Sequence, residues 1–212
     1  MPDGIVLYGE DDHATSFIEL FPVIEHLVLC ARNIWLDCFI RGVVPRDVAS
    51  SLVHLKYLYL EEMCFLVNEW LRFLVLMIVS SPNLEKLKLV CFEEHSMGFD
   101  DDLFSVTMRE CSDIWLEHLI ELEIDGFGNK KPYLEFVKLI LAKSPVLKKL
   151  RLKVDDNDEV LKLLEALLPF PRASQVVEII VKYGGGNNIV IHPVEIHVKE
   201  VVSQISFRPS NQ

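Results

Sequence analysis

LEHLIELEIDGFGNKKPYLEFVKLILAKSPVLKKLRLKV, residues 116–154, carries one spacing of apolar residues twice: Leu119, Leu122 and Ile124, then Leu147, Leu150 and Leu152. Working outward, the pattern L-x-x-L-x-L, with Ile allowed, recurs at Ile24-Leu27-Leu29, Leu55-Leu58-Leu60 and Leu84-Leu87-Leu89. The first positions fall at 24, 55, 84, 119 and 147, so the copies start 28 to 35 residues apart. Pro22, Pro82 and Pro145 each sit two residues before a copy. Five copies with shared flanks read as a repeated supersecondary unit.

The last two apolar positions of each copy alternate with polar ones, which is the period of a strand with one buried face. No unit can bury that face alone, so stacked units predict a parallel sheet over a continuous core. Parallel neighbours need a crossover. The chain supplies helical spacing over residues 68–80 and 131–143, with Tyr133, Phe136, Ile140 and Leu141 on one face of the latter. Asn157 reads as the N-cap of a further helix over residues 158–168, terminated by Pro169 and Pro171. The fold class is therefore α/β, an irregular leucine-rich-repeat solenoid with parallel strands on one face and helices on the other. Leucine-rich repeats usually place Asn or Cys three residues after the strand. Here Arg32, Met63, Phe92, Phe127 and Asp155 occupy that position, so an apolar plug at the middle three is expected in place of a polar ladder.

With the leucines inward, the residues between them face outward: His26 and Val28, Tyr57 and Tyr59, Lys86 and Lys88, Glu121 and Glu123, Lys149 and Arg151. In-register strands set Lys86 beside Glu121 beside Lys149, and Lys88 beside Glu123 beside Arg151, so opposite charges alternate across the sheet. One reading is a self-compensated solvated face, each exposed pair contributing under ~1 kcal/mol. The other is a partner-binding surface made by Tyr57, Tyr59, Lys86, Lys88, Glu121 and Glu123, with the tyrosines as anchors.

Composition narrows the function. A formal charge of −11 leaves no basic stripe for nucleic acid and disfavours anionic membrane surfaces. The longest apolar run, Phe73 to Val79, falls far below the ~20 residues a membrane span needs. Residues 1–17 lack the basic-then-apolar order of a signal peptide. Five cysteines (Cys30, Cys38, Cys64, Cys91 and Cys111) with no CxxC pair suggest reduced thiols in the cytosol or nucleus.

No motif of catalysis is found, so the chain is not expected to be an enzyme or to carry a cofactor. His192, Glu195 and His197 lie on a strand-like run where the odd separation of the two histidines points them to opposite sides, which disfavours a metal site. His54 and His118 precede the first leucine of their copies and read as rim positions. Asp100–Asp102 and Asp155–Glu159 lack the spacing of a calcium loop and read as solvated turns and helix caps. Gly184–Gly186 opens no phosphate-binding helix and reads as a hairpin turn between residues 176–183 and 189–198.

SLVHLKYLYLEEMCF (51–65), SSPNLEKLKLV (80–90) and residues 116–154 together resemble the plant F-box/FBD/leucine-rich-repeat proteins. EVLKLLEALLPFPRASQVVEIIVKY (159–183) is similar to the end of the FBD module, its FPRAS stretch being Phe170 to Ser174. The resemblance divides the chain into leucine-rich-repeat-like units over 1–125, FBD-like units over 126–183 continuous with the solenoid, and a turn with a C-terminal strand or tail over 184–212. It implies target recruitment for a cullin-type ubiquitin ligase. The first twenty residues show no Leu-Pro-containing helical docking pattern, so adaptor binding through an F-box is not expected of this chain. The expected activity is non-catalytic protein binding. The alternative is a structural subunit that associates with itself through the solenoid edge and the C-terminal hairpin.

Overall fold

The computed structural model describes residues 5–7, 24–30, 52–92, 101–110, 113–155 and 159–193. Eight strands form one sheet in sequential order: β1 (Ile5–Leu7), β2 (His26–Cys30), β3 (Tyr57–Met63), β4 (Lys86–Cys91), β5 (Glu121–Asp125), β6 (Lys149–Val154), β7 (Glu178–Tyr183) and β8 (Asn187–Ile191). All neighbours are parallel except β7 and β8, which form an antiparallel hairpin across Gly184–Gly186. Four helices, α1 (Asn68–Val79), α2 (Asp101–Glu110), α3 (Lys131–Lys143) and α4 (Val160–Leu167), make the crossovers from β3 to β7. Each helix packs beside the next, as helices on one face of a sheet must. This is an α/β, leucine-rich-repeat-like arrangement.

The expected register holds. Leu58, Leu87, Leu122 and Leu150 lie side by side, as do Leu60, Leu89, Ile124 and Leu152, and every one is buried. Ile24, Leu55, Leu84, Leu119 and Leu147 join the same core from the turn before each strand. In four units that turn is closed by a bond from the first leucine's N–H to the carbonyl three residues back: Leu55 to Leu52, Leu84 to Ser81, Leu119 to Leu116 and Leu147 to Ser144. Pro82 and Pro145 stand at the second turn position, where a fixed φ is favoured. A second bond system staples the units together. The carbonyl of Glu25 accepts from Lys56 and Tyr57, that of Lys56 from Glu85 and Lys86, that of Glu85 from Ile120 and Glu121, and that of Ile120 from Lys148 and Lys149.

β7 is a sixth unit that the search for L-x-x-L-x-L does not find. Its turn residue is Ser174, whose hydroxyl donates to the Leu147 carbonyl at 2.6 Å. Val177, Ile179 and Val181 are fully buried, and the first gap is one residue shorter than in the other copies.

The expected plug after the strands forms at two of its three positions, and Arg32 lies outside the described residues. Met63 and Phe127 are buried, whereas Phe92 is 39% exposed. The difference lies in the backbone. In β3 a bulge puts Glu62 at φ 59°, and after β5 Gly126 sits at φ 70°; each turns the following residue into the core. β4 and β6 have no such residue, so Cys91 and Val154 face inward and Phe92 and Asp155 fall outside. From β3 to β6, strand ends with and without a positive-φ residue therefore alternate. Behind them Phe65, Phe127, Tyr133 and Phe136 form an aromatic cluster, with centroids 4.6 Å apart for Phe65 and Tyr133 and 5.3 Å for Phe127 and Tyr133.

Helices α1 and α3 follow the expected boundaries, α1 ending on Val79 with Ser80 as its C-cap. α4 is described over Val160–Leu167, within the expected span, while the expected start at 158 and its cap Asn157 lie outside the described residues. α2 was not read from the sequence; among its described side chains Phe104 and Thr107 are buried and Met108 packs partly buried against the core.

Two substitutions test this packing. Leu122→Ala is expected to cost about 2–5 kcal/mol in urea unfolding, by lost transfer energy and a residual cavity. Gly126→Ala is expected to cost at least ~2 kcal/mol, from the left-handed backbone and from overlap. Its added Cβ would lie 2.2 Å from the Cys91 carbonyl oxygen, which is backbone and cannot swing aside.

Candidate functional site

Period-two alternation that buries the leucines leaves the outward side chains stacked strand by strand, about 4.8 Å apart. One row runs His26, Tyr57, Lys86, Glu121, Lys149 and Glu178; the next runs Val28, Tyr59, Lys88, Glu123, Arg151 and Ile180. The helices pack on the other side, so these rows form the open face of the sheet.

Charge alternation sets the local geometry. Glu121 divides its two oxygens between Arg151, on β6, and Lys86, on β4, the latter at 3.8 Å. Lys88 lies 3.5 Å from Glu123 and 5.1 Å from the centre of the Tyr59 ring. One cation thus bridges an aromatic strand and an acidic strand. Farther along the strands, Lys153 and Asp125 pair at 2.8 Å, and this contact raises the lysine pKa. Tyr57 stands against His26 with ring centroids 5.9 Å apart. Burial first, and the charge of Glu123 second, push its phenol pKa up. Burial also raises the Tyr59 pKa, and a hydrogen bond to Glu61 adds to it. Both phenols stay protonated at neutral pH and can donate.

Between these rows lies an open depression of about 600 Å³, lined by His26, Lys56, Tyr57, Glu85, Lys86, Leu87, Lys88, Glu121 and Glu123. Five of the six residues singled out from sequence line it. Tyr59 does not: it packs beside Lys88 on the next row. Lys56 and Glu85 were missed. They occupy the second position of their units, whose backbone bonds the neighbouring strand, and their side chains reach the rim; Lys56 pairs there with Glu25 at 3.1 Å. The repeat register marks that position, so the signal was present.

A second depression, about 520 Å³, lies at the carboxyl ends of β4 to β6 beside Cys91, Phe92, Gly126, Lys130 and Asp155. Burial pushes the Cys91 thiol pKa up, which withholds the thiolate that nucleophilic or metal chemistry would use. Among the described residues, no three of His, Cys, Asp and Glu gather as a metal-holding group. His192 stands 3.7 Å from Glu178, while Glu195 and His197 lie outside the described residues. Asp101 and Asp102 open α2, where carboxylates suit the helix dipole. His54 and His118 occupy exposed turn positions. Cys64 and Cys91 are buried free thiols. No helix among the described residues is long and apolar enough to cross a membrane.

The chain is similar to an F-box/FBD/LRR-repeat protein of Arabidopsis thaliana, with 25% identity over 169 residues and 78% of this chain aligned. It spans about 40% of the length of that curated relative. No protein-family model matches, and no solved structure matches significantly. The match supports the leucine-rich-repeat and FBD resemblance that the residues carry.

The charge rows give a prediction about the face itself. Glu121→Lys would set four cations side by side, Lys86, Lys149 and Arg151 included, and is expected to destabilise the fold by about 1–2 kcal/mol. The loss should shrink as salt is added, because screening weakens exposed repulsion. Thermal melts at low and high ionic strength measure both effects.

Proposed function

We propose that this chain is a non-catalytic protein-interaction module: a leucine-rich-repeat solenoid whose open sheet face recruits a protein target. In this reading it corresponds to the substrate-recognition part of an F-box ubiquitin-ligase receptor. Residues 1–125 are the leucine-rich-repeat-like units, residues 126–183 are FBD-like units continuous with them, and 184–212 are a turn with a C-terminal strand or tail. The module acts in the cytosol or nucleus, where its buried thiols stay reduced.

One observation carries the reading. The sheet presents two rows of side chains from successive strands, with half-buried tyrosines next to lysines over an open depression. A rigid scaffold with aromatic and cationic groups fixed in register loses little side-chain entropy on binding. Tyrosine anchors also carry a disproportionate share of interface energy. The similarity to a protein named for F-box, FBD and leucine-rich repeats is consistent with that use.

The test begins with proximity labelling in the native cell, followed by purification of the partner it identifies. Tyr57→Ala/Tyr59→Ala is then expected to weaken binding by about 2 kcal/mol or more, roughly 30-fold, with the melting temperature unchanged. Binding that persists rejects the face as the site. A melting temperature that falls in step with binding assigns the two rings to stability instead.

A further inference from the structure

The two edges of the sheet differ. β1 is described over three residues, Ile5–Leu7, whereas β8 runs for five, Asn187–Ile191. At β8 the strand direction reverses: every earlier neighbour is parallel, and β8 joins β7 antiparallel. Among the described residues no strand lies on its outer side, and it enters no backbone bond beyond the ladder. Edges are commonly blunted by charge or proline, because a bare row of N–H and C=O groups templates another strand. β3 to β7 each carry Lys, Arg, Asp or Glu, and β8, Asn-Asn-Ile-Val-Ile, carries none. In a chain of formal charge −11, an uncharged edge is where two copies meet least repulsion.

β8 also matches itself. Set it antiparallel to a second β8 with Val190 facing Val190, and Ile189 falls opposite Ile191 while Asn188 falls opposite His192. Directly opposed side chains share a face of the sheet. On the outward face, Ile180 and Val190 are neighbours in register, so the pairing doubles them into one apolar row. On the inward face, the Ile179–Ile191 pair runs on into the Ile189–Val181 pair of the second copy. Val190, now 40% exposed, is the side chain that the contact covers. No charge is set against a like charge across the junction.

We infer that the partner of this edge is a second copy of the chain, paired β8 to β8 about a two-fold axis at Val190. Such a contact is isologous and closes at two copies. The axis stands normal to the joined sheet, so both open faces lie on the same side. The dimer does not depend on what that face binds. Where the face recruits a target, two of them are presented together, which raises avidity for a bivalent target. One strand pair is small for a specific interface, so a Kd on the order of 10 µM is expected.

Sedimentation equilibrium of the full chain, from about 1 to 100 µM, should show a monomer–dimer equilibrium. Val190→Lys and Val190→Glu should each weaken it at least about tenfold, because each sets like charges face to face on the axis. Mixing the two variants should restore association, since Lys then faces Glu. A contact that does not bring residue 190 onto itself gives no such rescue, and a misfolded variant cannot imitate it. Amide hydrogen exchange of the unmutated chain is the check that needs no variant: protection of β8 should rise with concentration. A chain that stays monomeric overturns the inference, as does association indifferent to both variants or lost without rescue on mixing. So does growth past the dimer, which would mark head-to-tail pairing with β1. Protection of β8 already complete at low concentration would mean that one chain covers its own edge, and overturns it too.

Discussion

Strand register is the constraint on which the rest of the structure depends. A slip of one residue between neighbours would carry a full set of leucines to the open face and a full set of lysines and glutamates into the core. The converging bonds from two successive N–H groups to one carbonyl, repeated from Glu25 through Ile120, fix the approach of each unit to the last before the strands begin. Once that approach is fixed, the outward rows follow from geometry alone. Lys86 has no choice but to lie beside Glu121, and Tyr59 no choice but to lie beside Lys88. The open face is thus ordered by the same pairing that orders the core, and its side chains are held in rank by residues they do not touch.

The packing behind the sheet shows how a polar device can be replaced. A side-chain ladder of Asn or Cys would satisfy backbone groups in the turns after the strands. In this chain Met63, Phe65, Phe127 and Tyr133 fill that space with apolar volume, and the turn backbone is bonded directly, Phe92 N–H to the Met63 carbonyl and Phe127 N–H to the Lys153 carbonyl. Helix ends are closed in the same economical way, with the hydroxyls of Ser80 and Ser81 donating to the Leu76 and Met77 carbonyls.

Much of this was legible in the sequence, because period-two leucines with polar residues between them specify both a face and a register. Lys86, Glu121 and Lys149 could be aligned from their offsets to the nearest leucine, and they align so in the structure. What the sequence hid depends on backbone conformation. Glu62 has nothing in its identity to announce a positive φ, so the bulge that sends Met63 inward could not be read, nor could the eversion of Phe92 one strand later. Gly126 did offer a cue. β7 escaped the repeat search because its first gap is one residue short, although Val177, Ile179 and Val181 keep the alternation. The tyrosines and lysines of the candidate site were found by register, whereas Lys56 and Glu85 were passed over because their units read as backbone positions there.

The alternation of strand ends bears on how such a chain can grow or shrink. β3 and β5 have a residue of positive φ at or just past their ends; β4 and β6 do not. Gly126 comes up against the Cys91 carbonyl, so an end of positive φ is fitted to a neighbour without one. Over β3 to β6 the strand ends therefore repeat every two units, as from Leu55 to Leu119 or from Leu84 to Leu147. Gain or loss of one unit by unequal recombination sets like ends together and demands new residues at the junction. Gain or loss of an adjacent pair leaves every end facing the kind of neighbour it already fits. Architectures built this way should change length in even steps, and lineages that differ by an odd step should carry a rebuilt glycine or bulge at the seam.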